Sequence, residues 1–294
     1  MGAIKVVHLV AGAGGMYCGS CLQGNVLVGA LSKAGVDAML LPMYMPVRTD
    51  QTNHSLQYVA YGGVNVYLQQ RWSLFQRTPW LVDHLLDRPA LLRCLSRWAG
   101  TTQPGALGPL TVSMLQGEEG RQRKELAKLL HILGNVLKPD LVHLNNALLA
   151  GVAPTLRHHL NVPVVCSLTG EDAFLDQLPS PHREQAWQLL GERMAEVDVL
   201  MALSRYYADV MAERLCLPRG WINVVPPGLD CESQDLANEG RSRLPEGAAF
   251  RVGFFSRIAP EKGLHLLAEA VTLLAKDPSL PPVELHAGGY LATA

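Results

Sequence analysis

The chain has 294 residues, 48% of them hydrophobic and 17% charged, with 25 Lys and Arg against 26 Asp and Glu. That composition excludes a disordered chain, and a formal net charge of -1 gives no global field to hold a polyanion, so nucleic acid is not an expected partner. Six cysteines are too few for a disulfide scaffold, which makes a reducing cytoplasm the expected compartment.

The stretch between Lys5 and Lys33 carries no charge, but its apolar run from Val6 to Ala11 is too short for a signal core and Ser20, Gln23 and Asn25 follow. It reads as a buried strand, a glycine loop and a helix. No segment offers about 18 unbroken apolar residues, so no transmembrane helix is expected.

Strands are predicted at 4–10, 36–41, 140–144, 162–168, 197–203 and 222–225, and helices near 20–34, 118–137, 147–159, 183–195 and 205–215. Apolar runs without alternation belong to strands covered on both faces, so the expected class is α/β with a doubly wound parallel sheet. Lys138-Pro139-Asp140, Asn161-Val162-Pro163 and Leu217-Pro218-Arg219-Gly220 each stop a helix just before a strand.

Two regions depart from this rhythm. Residues 57–70 alternate around Gly62-Gly63 and read as a β-hairpin, and 72–98 read as helical and aromatic. The insertion 57–110 is taken as a cover over one sheet edge. After Pro226-Pro227-Gly228, residues 229–249 are polar and aperiodic, as in an interdomain linker. A strand at 250–255, a helix at 262–275 and a strand at 283–287 then make one β-α-β unit, too small to close a core alone. The expected organisation is a Rossmann-like domain at 1–228 and an incomplete second domain at 250–294.

Three segments could carry chemistry. Gly12-Ala13-Gly14-Gly15 lies between a strand and a helix, where backbone N–H groups can approach a phosphate. It is not a dinucleotide fingerprint, because Tyr17 stands where the third glycine belongs and Leu40-Leu41-Pro42 offers no acid for a ribose. A tight turn competes with a ligand cradle. Cys18-Gly19-Ser20-Cys21 at a helix start suits thiol redox chemistry, against a bland reading as small packing residues; zinc would need a second ligand pair. Phe254-Phe255-Ser256-Arg257-Ile258-Ala259-Pro260-Glu261-Lys262-Gly263 sets two cations in a strand-to-helix turn, where a diphosphate or only solvent could meet them.

This last segment resembles the donor-binding turn of the family 4 retaining glycosyltransferases, a Gly-Arg strand end followed by Pro-Glu-Lys-Gly. Further matches follow in the family's order: Gly14-Gly15, Asp140-Leu141-Val142-His143, Ala202-Leu203-Ser204-Arg205-Tyr206, and Val224-Val225-Pro226-Pro227-Gly228-Leu229-Asp230. The resemblance implies the GT-B fold, with an acceptor-side first domain and a second domain that binds a nucleotide sugar. It implies transfer of a sugar from a UDP- or GDP-sugar to a carbohydrate or lipid-linked acceptor, with retention and without metal or other cofactor. Arg257 and Lys262 would then neutralise the leaving diphosphate, and Gly14 and Gly15 would let backbone approach the donor.

The sequence also departs from the family. In Val165-Cys166-Ser167-Leu168-Thr169-Gly170-Glu171-Asp172, Glu171 stands where relatives carry a His beside the transferred sugar, and is the catalytic candidate; helix capping by Glu171 and Asp172 is the alternative. Asp172 and His143 are candidate cleft-lining residues, with packing the alternative for His143. Pro227 replaces an Asn. The resemblance places the family's donor-binding Glu-x7-Glu motif beyond Ala294, so the piece by itself is expected to be inactive. Arg121-Gln122-Arg123-Lys124 leads an amphipathic helix that allows weak peripheral membrane contact or covers the core. A redox protein using Cys18 and Cys21 and a non-enzymatic sugar-binding domain are the rival functions.

Overall fold

The computed structural model describes residues 2–13, 17–71, 104–228 and 248–289. The chain divides into two compact units, Met1–Ser233 and Gln234–Ala294. In the first, six parallel strands, β1 (Lys5–Val10), β2 (Asp37–Pro42), β3 (Leu141–Leu144), β4 (Val164–Leu168), β5 (Val199–Ala202) and β6 (Ile222–Val224), stand in the order β2-β1-β3-β4-β5-β6. The chain runs outward from β1 to β2, then returns to the other side of β1 and builds outward again. In doubly wound sheets, ligands bind at the carboxyl ends of the strands beside such a reversal.

The strands form because apolar, often β-branched residues meet cover on both sides. Val7, Leu9, Val142, Leu144, Cys166, Leu168, Leu200 and Ala202 are all buried on one face. They pack with residues of α3 (Pro104–Leu115), α4 (Arg123–His131), α5 (Ala153–Leu160), α7 (His182–Ala195) and α8 (Arg205–Arg214), the helices that the short α6 (Asp172–Leu175) interrupts. At about 1.5 to 3 kcal/mol per fully buried aliphatic side chain, this face supplies most of the driving force. On the other face α1 (Gly19–Lys33) covers Val10 and Leu40 with Cys21 and Val28. Gly24 brings α1 close to the sheet there, since a Cβ at that position would sit 2.9 Å from His8 Nε2.

One expected element is corrected. Gly62-Gly63 opens not a hairpin but α2 (Gly63–Arg71), whose Asn65, Val66 and Gln69 are buried at helical spacing. Tyr61 donates its N–H to Met43 O at 2.7 Å, so the chain leaves β2's extension and turns straight into the helix. Gln69 donates to the buried Glu125 carboxylate of α4 at 2.8 Å. The expected aromatic helix at 72–98 lies outside the described residues. A helix the sequence reading did not place, α3, begins at Pro104 and packs on α7 and on the 3₁₀ turn Ala147–Val152.

The amphipathic helix after Arg121 turns its Leu126, Leu129 and Leu133 into the core. Among the described residues no helix is long and apolar enough to cross a membrane. The second unit holds β7 (Phe250–Phe255), α9 (Leu264–Leu274) and β8 (Val283–Gly288), with β7 and β8 paired in parallel as one β-α-β unit. Of the polar stretch 229–249, only 248 and 249 are described.

Candidate functional site

The turn after β4 is built around one acid. Glu171 is 1% exposed, and its Oε1 accepts from the backbone N–H of Ala147 at 2.9 Å while both of its oxygens take the N–H of Thr169 at 3.0 and 2.9 Å. Oε2 also accepts from Gly170 N–H at 3.1 Å and from the Tyr207 hydroxyl at 3.0 Å. Burial raises the Glu171 pKa, and these donors oppose the rise by stabilising the carboxylate. The acid thus bonds inward, to the ends of β3 and β4 and to α8, rather than to the first turn of the helix that follows. Gly170 takes φ +106°, a conformation glycine adopts without strain, so the chain can fold back over the carboxylate.

Asp172 is half-buried beside it. Its Oδ1 stands 2.9 Å from the Tyr207 hydroxyl, whose single proton serves Asp172 or Glu171 but not both at once. Burial and the neighbouring Glu171 charge push the Tyr207 pKa up, which keeps it a phenol. Ser204 fixes Tyr207 by capping α8, its Oγ accepting from Tyr207 N–H at 3.1 Å. Asn146 joins the same edge, donating to Thr169 Oγ1 at 2.9 Å and accepting from Leu148 N–H at 2.9 Å.

His143 lies deeper, on the sheet face under α1. It is 5% exposed, its Nε2 stands 2.8 Å from Ser167 Oγ, and its ring meets that of His8 edge to face at 4.3 Å. Both imidazoles are held neutral: burial lowers His8 to about 4, and burial together with His8 lowers His143 well below the usual value. His8 Nε2 pairs with Asn145 Oδ1 at 2.9 Å, and Asn145 in turn donates to Ser20 O at 2.8 Å. His143 and Ser167 line a cavity of 530 Å³ that Met201, Leu203, Val225 and His54 share.

In the glycine loop, Gly14 and Gly15 lie outside the described residues. Gly12 precedes them at φ +77°, where a Cβ would fall 1.6 Å from Met45 O, so only glycine fits. In the second unit Arg257 is exposed and forms an ion pair with Glu261, and Lys262 is exposed at the end of the 3₁₀ turn Pro260–Lys262. Gly263, at φ +73°, starts α9 directly after. Two cations and a helix start therefore face solvent on one short turn, which suits an anionic group. Among the described residues no group of three His, Cys, Asp or Glu is placed to hold a metal ion.

The sequence reading missed Asn145, Asn146 and Tyr207. The Asn145-Asn146 pair directly after a buried strand was the available signal, because polar residues that end a core strand commonly bond neighbouring strand ends.

Residues 105–233 match the model of Glycosyltransferase Family 4. The structure of Anabaena HepE in complex with UDP resembles this chain with a TM-score of 0.50 at 15% identity, over 98% of this chain and 61% of that one. HepE in complex with UDP-glucose aligns with a TM-score of 0.49 at 16% identity, over 97% of this chain and 60% of that one. An alpha,alpha-trehalose-phosphate synthase (UDP-forming) of Burkholderia vietnamiensis aligns with a TM-score of 0.49 at 14% identity, over 98% and 64% of the two chains. The chain thus spans about three fifths of the length of these proteins. No curated protein sequence matches it. The fold is the GT-B glycosyltransferase fold, and the family 4 resemblance drawn from the motifs is met across residues 105–233.

Proposed function

We propose that this chain belongs to a glycosyltransferase that moves a hexose from a UDP- or GDP-sugar to a carbohydrate or lipid-linked acceptor in the cytoplasm, with retention at the anomeric carbon and without a metal. The observation that carries the reading is the family 4 match, which runs from α3 through β6 and so takes in the Glu171 turn. UDP is the favoured nucleotide because HepE, which shares the fold, was solved with UDP.

On this reading Arg257 and Lys262 bind the diphosphate and stabilise the charge that develops on it as the glycosidic bond breaks. Fixed cations take the part a metal plays elsewhere. The family resemblance assigns Gly14 and Gly15 the part of letting backbone approach the donor. Glu171 is a positioning residue: with 1% exposure and its oxygens engaged by backbone N–H groups, it holds the turn that presents Asp172. Asp172 is the carboxylate available to an acceptor hydroxyl.

Isothermal titration of UDP-glucose and of a GDP-hexose into the protein tests the assignment. Saturable binding of one donor is expected, and Arg257→Ala and Lys262→Ala should each weaken it by about tenfold or more, the worth of one charge-assisted bond. Equal affinity in wild type and both variants would overturn it.

A further inference from the structure

Sugar transfer gives no role to Cys18 and Cys21. Cys18 is the residue before α1, in extended conformation at φ -119° and ψ 122°, and Cys21 follows one turn into the helix. Residues at this spacing share a helix face, and Cys18 Sγ stands 3.2 Å from Ser20 Oγ. Their surroundings differ. Cys18 is half-buried and follows Tyr17, which is 53% exposed, whereas Cys21 is 1% exposed and packs with Val10, Val28, Leu40 and Val47.

The pair is polarised. The neighbouring Cys21 thiol is the main reason that Cys18 falls to about 5, and the Ser20 hydroxyl, 3.2 Å away, adds to it. Cys21 is pushed up, first by its neighbour Cys18 and then by burial. The Cys18 sulfur is the less buried of the two, and Cys21 is enclosed in the core. That is the division between an attacking and a resolving thiol.

We propose that Cys18 and Cys21 are a redox-active dithiol that closes reversibly to an intramolecular disulfide by exchange with a low-molecular-weight disulfide. The Cys18 thiolate attacks one sulfur of that disulfide, forms a mixed disulfide and releases one thiolate. Cys21 then gives its proton to that thiolate and attacks the Cys18 sulfur, so the Cys18–Cys21 bond forms and the second thiolate leaves, taking a proton from solvent. The thiolate–thiol pair loses two electrons and the one proton of Cys21, solvent supplies the second proton, and the external disulfide becomes two thiols.

The protein is equilibrated in buffers running from reduced to oxidised glutathione, quenched in acid, alkylated with N-ethylmaleimide and digested for mass spectrometry. The peptide holding both cysteines should become two hydrogens lighter and unalkylated through one midpoint, and should revert with dithiothreitol. In reduced wild type, iodoacetamide should modify Cys18 about tenfold faster than the exposed Cys216 at slightly acid pH, with a rate already flat at neutral pH. Cys21→Ser should trap glutathione on Cys18. A lasting Cys18–glutathione adduct in the wild type, or full alkylation of both thiols at every ratio, would overturn the proposal whether or not the protein binds a nucleotide sugar.

Discussion

The turn after β4 directs its acid inward, whereas the turn after β7 leaves its cations in solvent. Both are strand-to-helix turns at the carboxyl ends of parallel strands. Glu171 is 1% exposed and spends its acceptor capacity on Ala147, Thr169, Gly170 and Tyr207. Arg257 has a side chain 54% exposed and one carboxylate partner four residues on. A charge bonded on all sides by its own chain serves architecture; a charge held in solvent with one exposed partner can exchange that partner for a ligand. The first turn should therefore answer to mutation in stability and the second in affinity.

Replacing Glu171 separates them most sharply. Glu171→Ala leaves the buried N–H groups of Ala147 and Thr169 without their acceptor and should cost about 3 to 5 kcal/mol in urea unfolding. A loss below about 1 kcal/mol would mean the carboxylate is not the anchor of this turn. Acid should act on the buried His8 in the same sense. Its folded pKa is about 4, below the ordinary 6.5, so between these values the unfolded chain binds more protons. Stability from this group is complete above about pH 6.5 and falls toward pH 4, by about 3 kcal/mol in all. The slope of unfolding free energy against pH should be shallower in His8→Gln; an identical slope would remove His8 as its source.

Smaller effects sharpen the contrast further. Tyr207→Phe removes one donor to Glu171 and Asp172 and one acceptor from Gly170, and should cost about 1 to 2 kcal/mol by thermal unfolding. Arg257→Ala and Lys262→Ala should change stability by less than about 0.5 kcal/mol, since exposed ion pairs contribute little, while donor affinity falls. Loss of stability comparable to that of Glu171→Ala would make the β7 turn structural as well.

Much of this arrangement was legible in the sequence. All eight described strands lie where apolar runs predicted them, and in β1, β3 and β4 burial on both faces writes that continuous pattern into the chain. The predicted hairpin failed because residues 58–67 alternate with period two while the burial of Asn65, Val66 and Gln69 follows a helical period. Pro109, inside α3, hid that helix, since proline reads as a breaker. Glu171 was visible as an acid in a turn, but its inward direction was not: its partners Ala147 and Tyr207 lie 24 and 36 residues away. His8 likewise meets Asn145 across 137 residues. Arg257 and Lys262 were legible as cations of a strand-to-helix turn, because Pro260 and Gly263 mark that turn in the sequence.

Nitrogen-resolved NMR during addition of UDP tests the central claim most directly. Amide shifts should move at Arg257, Lys262 and Gly263 and stay still at Val7, Leu9 and Leu144 in the core. Shifts confined to the cavity around His143 and Ser167, or none at all, would contradict the assignment of the diphosphate to the β7 turn.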